Sequence, residues 1–289
     1  MNYRLPIWFR QELPDSISLS QLAEFNRDQV NTVCREAKCP NIFECFKDSQ
    51  MTFMILGNTC TRNCRFCAVQ KKSQNQPLGI DFKEPERILE IVRKLKLKYV
   101  VITSVTRDDL VDGGSSVFAK VLDTIHKFNK NIKIELLIPD FQGDISSIRC
   151  VLNARPDVAG HNIETIERLY PDLRPEGNYW RSLEVLKKIK ELCFELITKS
   201  SIMLGLGEKD FEVRQAMQDL KEASCDIITL GQYLAPSQSH YPVKEFIAPK
   251  KFLEYKEHAL ALGFKAVLSG PLVRSSYKAE SVFKEFHYA

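Results

Sequence analysis

From residue 52 onward the chain alternates between short runs of β-branched and aromatic residues and longer stretches whose apolar positions recur every three or four residues. The runs TFMILG (52–57), YVVITSV (99–105), IKIELLIP (132–139), VAGHNI (158–163), SSIMLGLG (200–207) and CDIITLGQY (225–233) read as strands, with FKAVLSG (264–270) as a last short one. Helices are predicted near 84–97, 115–130, 144–153, 178–194, 210–223 and 249–262. Continuous apolar strands separated by helices imply βαβ units and a parallel sheet, hence an α/β fold. Six such units fit an open doubly wound sheet or an incomplete barrel, and in either the chemistry sits at the C-terminal strand ends. The unusual residues fall there: GNTC, TSVTRDD, HNIET, GLGE and GQYLAPSQSH follow successive strands. The first fifty residues stand outside this pattern as an N-terminal extension.

Composition adds little until the cysteines. The chain has 289 residues, 44% hydrophobic and 27% charged, which is ordinary for a globular protein. A net charge of +4, with basic and acidic residues interspersed, makes no case for a nucleic acid partner. KKSQNQ (71–76) and KLKLK (94–98) read as a solvated loop and a helix end. The N-terminal MNYRLPIWFRQELPD lacks a long apolar segment and carries acids, so neither a signal nor a transit peptide is expected. No run of eighteen apolar residues suggests a membrane span, and the expected location is cytoplasmic. Nine cysteines in such a chain point to a reducing compartment, where thiols serve metals or catalysis more often than disulfides. Cys150, Cys193 and Cys225 stand singly among apolar neighbours and are each expected to be a small buried hydrophobe. The other six crowd into residues 34–67.

Cys60, Cys64 and Cys67 form CxxxCxxC directly after the first strand. Three thiolates on one loop can wrap one face of a metal centre, and soft sulfur selects iron–sulfur clusters or zinc. Structural zinc wants a fourth ligand, and no His or Cys follows locally. On a four-iron cluster three cysteines leave one iron free to bind a small molecule. Cys34, Cys39 and Cys45 make a second set of three, CxxxxCxxxxxC, which on spacing alone is either a cluster site or scattered core thiols.

CTRNCRFC, with Phe66 as its aromatic position, resembles the signature of the radical S-adenosylmethionine enzymes. NTVCREAKCPNIFEC, HNIET with RLYPDLRP, KSSIMLGLGE, GQYLAPS and GPLVRSSYKA, in that order, resemble the segments of the lipoyl synthases over nearly the whole chain. The resemblance implies an incomplete (β/α)6 barrel of the radical SAM type over 51–248. Residues 1–50 would be an N-terminal extension with the auxiliary-cluster cysteines, and 249–289 would hold a helix, a short strand and the RSSY tail. It implies two 4Fe-4S clusters. Cys60, Cys64 and Cys67 hold the one that binds S-adenosylmethionine, while Cys34, Cys39, Cys45 and a serine of the tail, Ser276 rather than Ser275, hold the auxiliary one.

The implied reaction is insertion of two sulfurs into an octanoyl chain linked to a carrier lysine, with the auxiliary cluster as sulfur donor. The partners would be an octanoylated lipoyl carrier protein, either the glycine cleavage H protein or a lipoyl domain of a 2-oxoacid dehydrogenase, and a reduced ferredoxin or flavodoxin. Gly205 and Gly207 would let the backbone approach S-adenosylmethionine, although Ser201 replaces the glycine usual in that element. Thr103, Ser104 and Asp108 follow the second strand and are candidates for its methionyl end. Asn162 and Glu164 are expected to line the pocket, and His161 and His240 to be structural or pocket polar groups, since hydrogen abstraction needs no general base. Two rivals remain: a different sulfur-inserting radical enzyme, such as a biotin-synthase-like one, against which the N-terminal cysteines and RSSY tail speak, and a non-catalytic iron–sulfur carrier, which would close its cluster with four cysteines.

Overall fold

Seven apolar runs need seven places where both faces are covered, and a curved parallel sheet with helices outside provides them. In a computed structural model, which describes residues 5–11, 30–48, 50–73 and 76–288, the elements are α1 (Val33–Glu36), α2 (Ile42–Lys47), β1 (Thr52–Ile55), β2 (Thr59–Cys60), β3 (Gln70–Lys71), α3 (Glu84–Lys94), β4 (Tyr99–Ser104), α4 (Ser115–Phe128), β5 (Lys133–Leu137) and α5 (Ile145–Asn153). They continue as β6 (Val158–Gly160), α6 (Tyr170–Leu173), α7 (Tyr179–Leu192), β7 (Ile197–Leu204), α8 (Asp210–Glu222), β8 (Ile227–Gln232), α9 (Pro249–Ala261), β9 (Ala266–Gly270) and α10 (Ala279–Tyr288). The large sheet runs β1-β4-β5-β6-β7-β8-β9, all parallel, so each crossover leads to the next neighbour. Among the described residues no pairing joins β9 back to β1, and the barrel is left open between them.

Strand alternation sorts the side chains. On β4, Val100 and Ile102 pack outward under α3 and α4 with Ile134 and Leu136, whereas Tyr99 and Val101 point inward with Val158, Ile197 and Ile227. The inward cluster is capped by Ala279, Val282 and Phe283 of α10. That helix was not expected, since the sequence placed only the RSSY tail after the last strand. It exists because its apolar residues cover strand side chains that the incomplete barrel would otherwise expose.

Most strands end earlier than their apolar runs. After β1, Leu56 turns left-handed at φ 67° and Gly57 follows at 85°, because the buried Glu84 carboxylate accepts the Leu56 N–H at 2.8 Å. Two cysteine expectations fail. Cys225 is buried, but Cys150 is only half-buried and Cys193 is exposed, since it lies at the C-cap of α7, where the helical spacing stops. Gln74 and Asn75 of the basic loop, and residues 12–29, lie outside the described residues. No described helix is long and apolar enough to cross a membrane.

Candidate functional site: two cysteine triads on one barrel

The loop with Cys60, Cys64 and Cys67 leaves β1 at its C-terminal end and is pinned from several directions. Arg62, between the first two cysteines, points inward with its side chain 3% exposed. It donates to both oxygens of Asp108, at 2.7 and 2.9 Å, and of Asp140, at 3.0 and 2.6 Å. Arg181 also donates to Asp140 at 2.9 Å. Burial alone would push the Asp140 carboxyl up, but Arg62, His161 and the Gln142 N–H hold it well below the usual carboxylate range. Backbone bonds from Thr61 N to Thr106 O (3.0 Å) and from Arg65 N to Leu173 O (2.9 Å) fix the rest of the loop. All three cysteines are half-buried. Burial pushes the Cys64 thiol up to about 11 against the pull of nearby Arg174, and raises Cys67 as well. A bound iron cluster would reverse this by taking the thiolates, so loading releases protons.

The second triad is assembled from distant segments. Cys34 lies on α1, Cys45 on α2 and Cys39 between them, with the Cys39 N–H donating to Cys34 O at 3.0 Å. Together with Arg274, Ser276, Tyr277 and Thr52 they line one recess that also meets Tyr99 and Val101, so it lies by the starts of β1 and β4, whereas the first loop leaves the end of β1. Ser276 Oγ accepts a hydrogen bond from Thr52 Oγ1 at 2.7 Å, while Ser275 turns away and donates to Asn162 Oδ1 at 3.0 Å. Of the two serines, only Ser276 borders the recess. Desolvation, with mutual repulsion of the thiols, drives Cys34 up to about 11 and Cys45 up to about 12; Cys39 is raised too, tempered by the Asn41 N–H and Arg274. Among the described residues no three His, Cys, Asp or Glu groups close round a single ion. Soft sulfurs and one hydroxyl around a recess fit a multi-iron cluster.

Thr103 Oγ1 donates to Leu137 O at 2.8 Å, and Ser104 Oγ is buried without a hydrogen-bond partner. Asp108 is not free, being paired to Arg62. Asn162 Nδ2 donates to Glu164 Oε1 at 3.1 Å. Glu164 is left-handed at φ 68° and buried; burial raises its carboxyl, opposed by Arg174 and Asn162. Phe66 packs against the core cluster under β7 and β8. What approaches Gly205, at φ 93°, is the chain itself: a Cβ there would meet Gln232 Nε2 at 2.1 Å. At Gly207 a Cβ would meet only Lys244, at 3.4 Å. Ser201 is buried, and its carbonyl accepts the Glu164 N–H at 3.0 Å. His161 is buried between Ile138 O and Ser182 Oγ, a structural setting. His240 is bonded to Ser237 at the surface. Sequence reasoning missed Arg62, Asp140, Arg174 and Arg274. An arginine inside a cysteine loop was the one available signal.

A parallel partial barrel with a three-cysteine loop at the mouth of its first strand is the architecture of radical S-adenosylmethionine enzymes. The model of the Radical SAM superfamily matches residues 54–220, and a crystal structure of methylornithine synthase superposes with a TM-score of 0.57 at 11% identity, covering 74% of this chain and 69% of that one. The chain is 50% identical over 285 residues to a lipoyl synthase of Caldicellulosiruptor saccharolyticus, covering 98% of this chain and 99% of that protein. It is also 50% identical over 281 residues to a lipoyl synthase of Caldanaerobacter subterraneus, covering 97% of each. The chain belongs to the lipoyl synthase family of the Radical SAM superfamily. It is therefore a sulfur-inserting radical enzyme whose cofactors are S-adenosylmethionine and 4Fe-4S clusters.

Proposed function

We propose that the chain inserts two sulfur atoms, at carbons six and eight, into an octanoyl chain amide-linked to a lysine of a lipoyl carrier protein. The observation that carries this reading is the pair of three-cysteine, soft-ligand sites on one barrel, the second bordered by the Ser276 hydroxyl. Carbons six and eight have no adjacent carbonyl to acidify their C–H bonds, so acid–base catalysis cannot reach them. S-Adenosylmethionine at the first cluster supplies, when bound, a carbon radical able to take hydrogen from such positions. One molecule is used per hydrogen removed, hence two per product. The auxiliary cluster is in this reading a co-substrate that gives up its sulfide.

Cys60, Cys64 and Cys67 would hold the first cluster, whose remaining iron would be free for the nucleotide, with Phe66 backing the loop. Asn162, Glu164, Thr103, Ser104 and Gly207 line the space around it, Gly205 being filled from the chain by Gln232, and Asp108 acts on the loop through Arg62. Cys34, Cys39 and Cys45 hold the donor, and Ser276 supplies a corner that can let go, since a hydroxyl oxygen suits iron–sulfur ligation less well than thiolate. Residues 1–50 serve as the donor's platform, 51–248 as the radical barrel and 249–289 as its closure, although β9 continues the same sheet beyond residue 248. The carrier is the glycine cleavage H protein or a dehydrogenase lipoyl domain, the electron donor a ferredoxin or flavodoxin, and the compartment the cytoplasm. Anaerobic turnover on an octanoyl-lysyl peptide, followed by mass spectrometry, tests the reading. Gain of two sulfurs is expected, and an unchanged peptide mass with the nucleotide consumed would overturn it.

A further inference from the structure

Residues 274–277 follow β9 and are tied on two sides, Ser276 to the start of β1 and Ser275 to the loop after β6. Thr52 holds Ser276 at 2.7 Å, and Tyr277 donates to Glu44 Oε1 at 2.8 Å, both on the auxiliary side. Ser275 reaches the other way, to Asn162 Oδ1 at 3.0 Å, and Asn162 passes the contact on to Glu164 at 3.1 Å. Glu164 is a rigid post. Its left-handed backbone is fixed to β7 by Glu164 N to Ser201 O (3.0 Å) and Met203 N to Glu164 O (2.8 Å). Arg174 donates to Asn162 O at 3.0 Å, and its neighbour Leu173 accepts the Arg65 N–H of the cysteine loop at 2.9 Å, so the arm ends at the radical site. Crossing so close to the sheet is possible because β8 offers Gly231, where a Cβ would meet Val273 O at 2.0 Å.

We infer that Ser275 is a positioning residue that latches the serine corner of the auxiliary site to the radical site, so that Ser276 keeps its iron only while the Asn162–Glu164 arm is in place. The inference rests on Ser276 being an iron ligand. It implies that whatever fills the radical pocket and moves Asn162 loosens the corner from which the sulfur donor must open.

The test uses the full chain loaded anaerobically with both clusters and mixed with a ferrous chelator, without reductant or octanoyl substrate, with and without S-adenosylmethionine. Cys39→Ala, which keeps only the radical-site iron, supplies the blank. Ser275→Ala should release auxiliary iron roughly three- to tenfold faster than the wild type, the effect of one lost hydrogen bond, and Ser275→Thr should restore the slow rate. S-Adenosylmethionine should change the wild-type rate and leave that of Ser275→Ala unmoved. Equal rates in Ser275→Ala and wild type, or a retained nucleotide response in Ser275→Ala, with faster release in Ser276→Ala, would overturn the latch alone. Wild-type release from Ser276→Ala would overturn the ligand assignment and the latch with it.

Discussion

The two cysteine triads are built on opposite plans. The radical loop is held by charge: a buried arginine grips two carboxylates, one shared with a second arginine, and every member projects from the barrel. The auxiliary recess is stitched from residues 34–45, 52 and 272–278 by the neutral bonds of Thr52 to Ser276 and Asn41 to Leu272 O, with Tyr277 and Lys278 reaching Glu44 only at the water-exposed rim. Removing one partner of a buried ion pair strands a charge, whereas a neutral hydrogen bond is individually modest. In the proposed function, the cluster that persists through turnover is set in the first kind of frame and the one that gives up its sulfide in the second.

The largest effects separate the triads by activity. Cys64→Ala should abolish cleavage of S-adenosylmethionine, measured as deoxyadenosine formed. Cys39→Ala should cleave it yet yield no thiolated peptide. Wild-type protein should carry roughly eight irons and each variant about four, by iron assay after anaerobic loading. Loss of deoxyadenosine formation in Cys39→Ala with the first cluster intact would collapse the division of labour.

Next comes the charged frame. Arg62→Ala leaves the fully buried Asp140 without its main partner, and the cost should be about 3–5 kcal/mol by denaturant unfolding. Iron should be lost from the radical site and retained in the auxiliary one. Retention of both clusters at wild-type stability would show that the loop does not depend on this frame.

How far the sequence discloses each region follows from the range of its interactions. Strands and helices of the barrel were legible because their period is local, and their register followed from sequential parallel pairing. The Arg62–Asp140 grip joins residues 78 positions apart, and nothing local marks Asp140 as its partner. The helix α10 was hidden because its amphipathic residues are justified only by inward-facing Tyr99 and Val101, far away in sequence. Ser276 was chosen over Ser275 by resemblance, since the two adjacent hydroxyls differ only in which way the backbone turns them.

A titration distinguishes the barrel half without touching a cysteine. Burial, reinforced by Arg174 and Arg62 and opposed by Asp140, lowers His161 from 6.5 to about 4. The unfolded chain takes up this proton near pH 6.5 and the folded chain only near 4. The unfolded state therefore binds more protons in between, and stability present above 6.5 is lost as pH falls through that window, by about 3 kcal/mol. Unfolding free energies measured from pH 7 to 4 should fall less steeply in His161→Gln than in the wild type. Identical slopes would place the acid sensitivity elsewhere.

The smallest effect concerns the stitched half. Tyr277 is half-buried, and its hydroxyl donates to Glu44 at a site open to water, so solvent can replace the bond and Tyr277→Phe should cost under about 1 kcal/mol. Thr52 is buried and has no such substitute, so Thr52→Val should weaken retention of auxiliary iron more than Tyr277→Phe does. If Tyr277→Phe instead matched Arg62→Ala in destabilisation, the tail would be a structural keystone. The contrast between a frame held by charge and a recess held by separable small bonds would then fail.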